Sequence, residues 1–388
     1  MSRPARTAAA LALAAAALIA GCGSPVSPAP GLAAEAPPAG TPFLAASLVT
    51  PAGTWAVAVM GGPAATHDNF WQLFARPAGS PRWKLVTPPG TADNGGLVLA
   101  GAGRSLITGF RPSQYLTYTP LTLTRNAGQA WASTGPLDGT LADVPDALAA
   151  ASPAGNLLAL LTDGTAELAA PGYTSWTTLA TQPSLAATPP GRRCGLQNLT
   201  AATFTTSGIA MLGGSCGHPG TAGIFADTGG TWHAAGPALP AALAAQPVRV
   251  LRLTSTKSST EALLETGTGP ATSLLAAWSS DSGSHWVLSP PLRLTGTAPS
   301  SASFGPGDAA AIVLNGSRGE AIAGPGAPWR ALPALPPGTA TLAVGPAGGF
   351  DALAVRRTTM TVWQLAPGSA TWASAQVIKV PVQFGSSG

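Results

Sequence analysis

Seven tryptophans recur along this 388-residue chain at similar intervals, and a glycine-containing turn precedes each one. They are Trp83, Trp131, Trp176, Trp232, Trp286, Trp329 and Trp372, with successive spacings of 48, 45, 56, 54, 43 and 43 residues. A period of this size is typical of one four-stranded unit in a radially repeated β-sheet fold. The repeat therefore predicts seven similar units in a single domain over residues 43–388.

A second turn signal lies upstream of the tryptophan in six of the repeats. The tripeptide Pro-Ala-Gly occurs at 51–53, 153–155 and 346–348, and other glycine clusters take its place elsewhere. Short apolar runs follow at 55–59, 106–110, 157–161, 209–212, 262–264, 310–314 and 350–355. Runs of this length between turn residues favour buried second strands over helices. With 48 Gly and 39 Pro, we predict an all-β fold, a seven-bladed β-propeller of four-stranded antiparallel blades.

The turns before three of the tryptophans have a common pattern. Residues 279–286 read Ser-Ser-Asp-Ser-Gly-Ser-His-Trp, and residues 225–232 and 124–131 keep the polar residue, the glycine and the tryptophan at the same distances. This pattern resembles the Asp-box, or BNR repeat, of the sialidase and sortilin-like propellers. The matching residues are Asn126, Gly128, Trp131, Asp227, Gly229, Trp232, Asp281, Gly283 and Trp286.

The chemistry of the box residues indicates a structural role. A short carboxylate or amide accepts backbone N–H groups in a tight turn, and glycine adopts backbone angles that side chains resist. A tryptophan ring can bury a large apolar area between sheets, so we expect Trp232 and Trp286 to be buried. The resemblance implies that these turns lie on the face away from any ligand site.

The resemblance also raises an alternative function, a sialidase-like glycoside hydrolase. Such an enzyme is expected to use three arginines, a tyrosine nucleophile with a glutamate, and an aspartate acid/base. The chain has only Tyr115, Tyr118 and Tyr173, and none has the expected setting. We therefore predict no catalytic residue, and the hydrolase stays as the alternative.

The N-terminus indicates export. Arg3 and Arg6 precede an apolar run that ends in Ala20-Gly21-Cys22, which is typical of a secretory signal peptide. The small pair before Cys22 resembles the bacterial lipobox, which implies a lipid on that thiol. We predict a signal peptide over 1–21, a Pro/Ala-rich tether over 22–42, and a domain held outside the cytoplasm at the cell membrane.

Two cysteines remain, Cys194 and Cys216. In an oxidising compartment two such residues most often pair, and both lie 11 residues from Thr205, the first residue of a predicted hairpin turn at 205–208. We predict a disulfide across that hairpin. Catalytic or metal-binding thiols are the other interpretation.

Charge is scarce, at 9% of residues, and its distribution suggests one face. The second-to-third-strand and inter-blade loops are predicted to hold six arginines, Arg111, Arg192, Arg193, Arg318, Arg356 and Arg357. We interpret them as a candidate ligand face for an unidentified envelope protein or glycan; solvated loops are the other interpretation. Without the signal peptide the chain has 17 of its 19 basic residues and 15 acidic ones. This nearly neutral balance predicts no nucleic-acid partner. The sequence also predicts a monomer with no cofactor and no metal.

Replacing Cys22 with serine should release the protein from membranes, because serine cannot take the thioether-linked lipid. The folded domain should be unaffected, since the tether adds nothing to its core. Membrane fractionation measures the first expectation and thermal melting the second. Unlipidated wild-type protein in the culture medium would contradict the anchor.

Overall fold

The structure is a computed structural model that describes residues 47–61, 69–88, 97–110, 121–133, 147–151, 155–173, 175–256, 258–295, 299–345 and 347–381. The predicted signal peptide, the tether, Cys22 and Arg111 lie outside these residues. The described chain is all-β, with 29 strands in six antiparallel sheets. Within it, no helix is long and apolar enough to cross a membrane.

The sheets follow one another along the chain, and each strand pairs mainly with its neighbours in sequence. Sheet 1 contains β1–β4 (Ser47–Thr50, Gly53–Gly61, Asn69–Pro77, Lys84–Leu85), sheet 2 β5–β8 (Leu97–Ala102, Ser105–Phe110, Leu121–Thr124, Ala132–Ser133) and sheet 3 β9–β12 (Ala147–Ala150, Leu157–Leu160, Thr165–Ala169, Trp176–Thr181). Sheet 4 contains β13–β16 (Leu196–Phe204, Ala210–Cys216, Gly223–Asp227, Trp232–Ala234) and β17–β21 (Val248–Ser255, Thr260–Thr266, Ser273–Ser279, Val287–Leu288, Leu292–Arg293). Sheet 5 contains β22–β25 (Pro299–Phe304, Ala310–Leu314, Arg318–Ile322, Arg330–Ala331) and sheet 6 β26–β29 (Thr339–Val344, Phe350–Arg356, Thr359–Leu365, Ala373–Lys379).

The second strands lie where the apolar runs predict them. Strand β23 covers the predicted run 310–314, and the strands at the other six runs differ from prediction by a few residues. All five residues of β23 and all seven of β14 are buried. A strand buried on both faces has no polar alternation, which explains why these runs read as continuous apolar segments.

Sheet 4 has nine strands because two successive groups, β13–β16 with four strands and β17–β21 with five, are joined by pairing. The end of β14 pairs with the start of β17, through Ser215 with Arg249 and Cys216 with Val248. Each group otherwise keeps the antiparallel order of the other sheets.

Apolar clusters join every sheet to the next. Trp55 and Leu73 of sheet 1 pack with Leu97 and Leu106 of sheet 2, and similar clusters join the following sheets and the two halves of sheet 4. A last cluster brings Phe74 and Trp83 of sheet 1 against Leu353 and Met360 of sheet 6. The packing therefore returns to its starting sheet, which is the arrangement of a β-propeller.

Side chains rather than a shared strand join the first sheet to the last. The carboxylate of Asp351 accepts from the guanidinium of Arg76 at 2.6 Å and from the indole N–H of Trp83 at 2.8 Å. The side chain of Gln376 bonds both backbone polar groups of Trp83, at 2.9 and 2.8 Å. Residues 373–379 form the outer strand of sheet 6 and pair with β28, so they complete the last sheet instead of pairing with the first.

Two short helices interrupt the connection between sheets 3 and 4. Helix α1 covers Gln182–Ala186 and begins at a capping box, in which Thr181 and Ser184 each bond the other's backbone N–H. Helix α2 covers Pro189–Cys194, begins at Thr188 and ends at Gly195 in a left-handed conformation (φ 63°). Prolines in the first turn and a glycine at the end are typical helix boundaries, but the strand repeat did not predict helices here.

Replacing Asp351 with alanine should weaken the junction between the first and last sheets. The change leaves the half-buried Arg76 and the buried Trp83 N–H without their acceptor. Removal of one partner from a fully buried ion pair costs about 3–5 kcal/mol, and the partial exposure of Arg76 places the expected loss at or below the lower end of that range. Urea unfolding of the variant and of Asp163→Ala, which removes an exposed aspartate, gives the comparison. Equal losses in both variants would contradict this account of ring closure.

Candidate functional site

The turns that resemble Asp-boxes form hydrogen-bonded loops between the third and fourth strands. Asp281 accepts from the backbone N–H of His285 at 2.8 Å and from the hydroxyl of Ser279 at 2.9 Å. Bonds from the backbone and side chain of His285 lower the pKa of this exposed carboxyl to about 2. The Ser279 hydroxyl in turn accepts from the N–H of Gly283 at 2.8 Å.

The turn at Asn126 repeats this geometry. Its amide oxygen accepts from Ala130 N–H at 2.9 Å, and Thr124 Oγ1 accepts from Gly128 N–H at 3.0 Å. A Cβ on Gly128 would lie 2.5 Å from Val86, and its φ is +81°, so only glycine fits this position without strain. At the third turn, Asp227 accepts from Gly230 N–H at 2.9 Å. These carboxylate and amide oxygens are used within their own turns.

Two of the tryptophans after these turns form a hydrogen bond with the preceding group of strands. The indole N–H of Trp131 donates to the carbonyl of Val86 at 3.0 Å, and that of Trp286 donates to the carbonyl of Ala235 at 2.7 Å. The prediction of deeply buried rings is only partly right, because Trp232 and Trp286 are half-buried while Trp83 is 1% exposed. The outer strands at these positions are only three and two residues long.

The disulfide between Cys194 and Cys216 is present in the structure, but its setting differs from the predicted one. The hairpin of β13 and β14 places Leu196 opposite Cys216, and Cys194 is the last residue of α2. Two bulges in β13 shift the strand pairing, so Cys194 lies two residues beyond Leu196, the residue that faces Cys216. The bridge therefore fastens a helix to a sheet.

Helix α2 carries Arg192 and Arg193, and both side chains are exposed. Three contacts hold the helix end in place besides the disulfide. His218 N–H donates to Cys194 O at 2.9 Å, His218 Nδ1 lies 3.2 Å from Arg193 O, and Gly217 N–H donates to Gly195 O at 2.9 Å. These two arginines thus stand on a fixed support between sheets 3 and 4.

The other arginines of the predicted face lie at second-to-third-strand turns. Arg356 and Arg357 are exposed at the β27–β28 turn. Arg318 starts β24, and its guanidinium donates to the buried carboxylate of Glu320 at 2.8 and 2.6 Å. Arg318 is therefore engaged within its own sheet.

Strand direction places these arginines at one end of the sheets. Strands alternate in direction, so the turns between second and third strands lie at the same end as the connections between sheets. We call this end the inter-sheet face, and its arginines are Arg192, Arg193, Arg318, Arg356 and Arg357. First-to-second and third-to-fourth turns share the other end, which we call the box face (Asn126, Asp227, Asp281 and Asp308). Among the described residues, no contact joins the arginines of α2 to those of sheets 5 and 6.

A buried group of charges that the sequence did not indicate lies between sheets 4 and 5. Glu261 of β18 is 0% exposed, and Ser259 Oγ lies 3.5 Å from its carboxylate and 2.8 Å from that of Asp308. Burial raises the pKa of Glu261 well above its ordinary value, and Asp308 raises it further by its charge and by a hydrogen bond, while Arg252 opposes both effects. Burial beside a second carboxylate therefore favours the protonated form of Glu261. No group of three or more potential metal ligands occurs in the described residues.

The tyrosine that the structure describes does not have the setting of a nucleophile. Tyr173 lies in the third-to-fourth turn of sheet 3, on the box face, and Tyr115 and Tyr118 lie outside the described residues. Burial raises the pKa of the Tyr173 phenol, and Arg125 lowers it to a smaller extent. Burial thus opposes the ionised form that a nucleophilic attack needs.

No family model and no curated protein matches this chain. Three solved structures resemble it in fold. YCF48 from Cyanidioschyzon merolae has a TM-score of 0.48 and 12% identity, over 81% of this chain and 94% of that one. YCF48 bound to D1 peptide has a TM-score of 0.44 and 13% identity over 82% and 94%, and apo AztD from Citrobacter koseri has 0.46 and 10% over 87% and 87%. Similarity at this level transfers no ligand, partner or activity to this chain.

Replacing Glu261 with glutamine should change how stability depends on pH. Because the folded-state pKa is raised, the folded protein binds this proton more tightly than the unfolded chain does, so wild-type stability falls as pH rises above about 4.5 and levels off above the folded-state pKa. The amide keeps a donor toward Asp308 and cannot ionise, so the variant should lose this part of the decline. Melting temperatures from pH 4 to pH 8 test this, with Glu265→Gln on the same strand as the control. A parallel decline in wild type and Glu261→Gln would show that this carboxyl does not titrate as described.

Proposed function

We propose that this protein is a non-enzymatic binding module of the cell envelope, whose inter-sheet face recognises an acidic segment of a protein or an acidic glycan. Four exposed arginines carry the proposal, namely Arg192, Arg193, Arg356 and Arg357. None of the four has a carboxylate partner among the described residues. Guanidinium groups bind carboxylates by paired, planar hydrogen bonds, so such residues are suited to an acidic ligand.

The contrast with the other arginines supports this choice. Arg76 is paired with Asp351 and Arg318 with Glu320, so these two guanidinium groups stabilise the fold. Charged residues are only 9% of the chain, yet pairs of exposed arginines occur at two places on one face. Rigid sheets that present loops of this kind are well suited to recognition.

The finer architecture belongs to the same proposal. The two halves of sheet 4 are two blades whose edges pair, which gives a ring of seven blades with Asp-box turns. The lipid on Cys22 and the tether over 22–42 would hold the domain at the cell envelope, and the disulfide suits an oxidising compartment.

The glycoside hydrolase remains the second candidate. The Asp-box resemblance favours it, and the setting of Tyr173 counts against it. A fluorogenic sialoside assay separates the two functions, because a binding module releases no fluorophore.

Replacing the exposed arginines should weaken binding of an acidic probe. We expect a fluorescein-labelled deca-glutamate peptide to bind the wild type, and Arg192→Ala/Arg193→Ala or Arg356→Ala/Arg357→Ala to weaken it about three- to tenfold, as for exposed ion pairs. Binding should fall as salt rises. Fluorescence anisotropy gives the affinities, with melting temperatures as the check on folding.

The matched control is Arg82→Ala, which removes an exposed arginine from the box face. It should leave peptide affinity unchanged. An equal loss in all three variants would indicate general charge attraction, and no loss in any of them would remove the inter-sheet face from the proposal.

A further inference from the structure

A cavity of about 630 Å³ lies along the inner strands of the sheets. Its walls come from the first strands of sheets 1, 2 and 3 and of both halves of sheet 4, which are β1, β5, β9, β13 and β17. It extends to the first-to-second-strand turns, including Pro51, Gly103 and Thr256. The cavity therefore reaches the box face, at the opposite end from the exposed arginines of the inter-sheet face.

The cavity walls combine aliphatic residues with hydroxyl-bearing ones. Leu48, Leu99 and Leu253 contribute aliphatic side chains, and Thr203 and Thr254 contribute hydroxyls. Arg252 is the one charged residue among those that line it. Pockets of 300–1,000 Å³ with apolar walls and few polar groups are typical of small-molecule sites.

Only part of the hydrogen-bonding capacity of Arg252 is used within the protein. Its guanidinium donates to the carbonyl of Ser47 at 3.0 Å and to the carbonyl of Ala302. A guanidinium has five N–H donors, so three remain beyond these two bonds. Both acceptors are neutral, which leaves the positive charge without a contacting anion among the described residues.

Glu261 is the acid whose charge acts on Arg252, but the two side chains do not form an ion pair in the described structure. The contacts of Glu261 are with Ser259 and Asp308. Desolvation lowers the pKa of Arg252 to about 10, so the guanidinium stays protonated at neutral pH. A desolvated cation at the wall of this cavity favours an anionic ligand.

We propose that this cavity binds a small amphiphilic acid, with its carboxylate at Arg252 and its apolar body between the inner strands. The aliphatic walls select the body of the ligand and the guanidinium selects its head group. This site is independent of the inter-sheet face, and either one can fail without the other.

Titration calorimetry with decanoate and decanol tests the proposal in the protein carrying Cys22→Ser, which removes any competing lipid of its own. We expect one decanoate per chain, bound at least about tenfold more tightly than decanol, as for one charge-assisted contact. Arg252→Met should lower decanoate affinity to that of decanol. Arg249→Met, an exposed position on the same strand, should change neither.

A second variant tests the location. Ala150 is half-buried and lines the cavity, so Ala150→Phe should weaken decanoate and decanol alike by filling space, with Arg252 untouched. If Arg252→Met does not fold, Arg252→Lys and Ala150→Phe decide the question. Equal wild-type affinity for decanoate and decanol, or unchanged decanoate binding in Ala150→Phe, would overturn the proposal.

Discussion

An indole N–H that crosses from one four-stranded group to the group before it is the interaction that recurs between neighbouring groups of this ring. Trp176 is an exception among the described residues, since its buried N–H has no acceptor. Besides Trp131 and Trp286, Trp329 donates to Ser289 Oγ at 3.1 Å and Trp372 to Pro333 O at 3.2 Å. Each acceptor lies just beyond the last strand of the preceding unit. Trp83 lies in sheet 1, and its indole N–H donates to the carboxylate of Asp351 in sheet 6. The same residue type therefore both joins neighbours and closes the ring.

The features that repeat could be predicted from the sequence, because each repeat imposes the same local requirements. Turn residues, a buried second strand and a tryptophan recur at fixed positions, and the strands and third-to-fourth turns lie where these signals place them. Long-range pairs could not be predicted in this way. Nothing near Asp351 or Arg76 in sequence indicates their partner 275 residues away, and the acid pair of Glu261 and Asp308 forms only when two sheets pack. Helices α1 and α2 were missed although Thr181, Thr188 and Gly195 are ordinary helix boundaries, since a strand period was expected throughout.

The few charges of this chain divide into two uses. Arg76, Arg252 and Arg318 bond buried carboxylates or backbone carbonyls inside the domain. Removal of one partner there would leave the other without a hydrogen-bond partner. Arg192, Arg193, Arg356 and Arg357 are exposed and have no carboxylate partner among the described residues, although the Arg192 guanidinium donates to the carbonyl of Ala187. Of the six arginines of the predicted face, four are exposed, Arg318 is largely used by Glu320, and Arg111 lies outside the described residues, so the face itself stays a prediction.

The inner strands differ in how they pair with their second strands and in what fills the space between them. Bulges interrupt the pairing of β13, β17, β22 and β26 with their second strands, whereas β1, β5 and β9 pair without a shift. On the side of sheets 5 and 6, hydroxyl contacts fill the centre, with Ser301 and Thr341 2.7 Å apart and the Ser47 N–H donating to Ser303 Oγ at 3.1 Å. The Arg252 guanidinium lies at the border of this filled region, because its two acceptors are carbonyls of β1 and β22. The cavity begins beyond it, along β5, β9, β13 and β17, so the Arg252 guanidinium lies between the centre closed by these hydroxyl contacts and the open cavity.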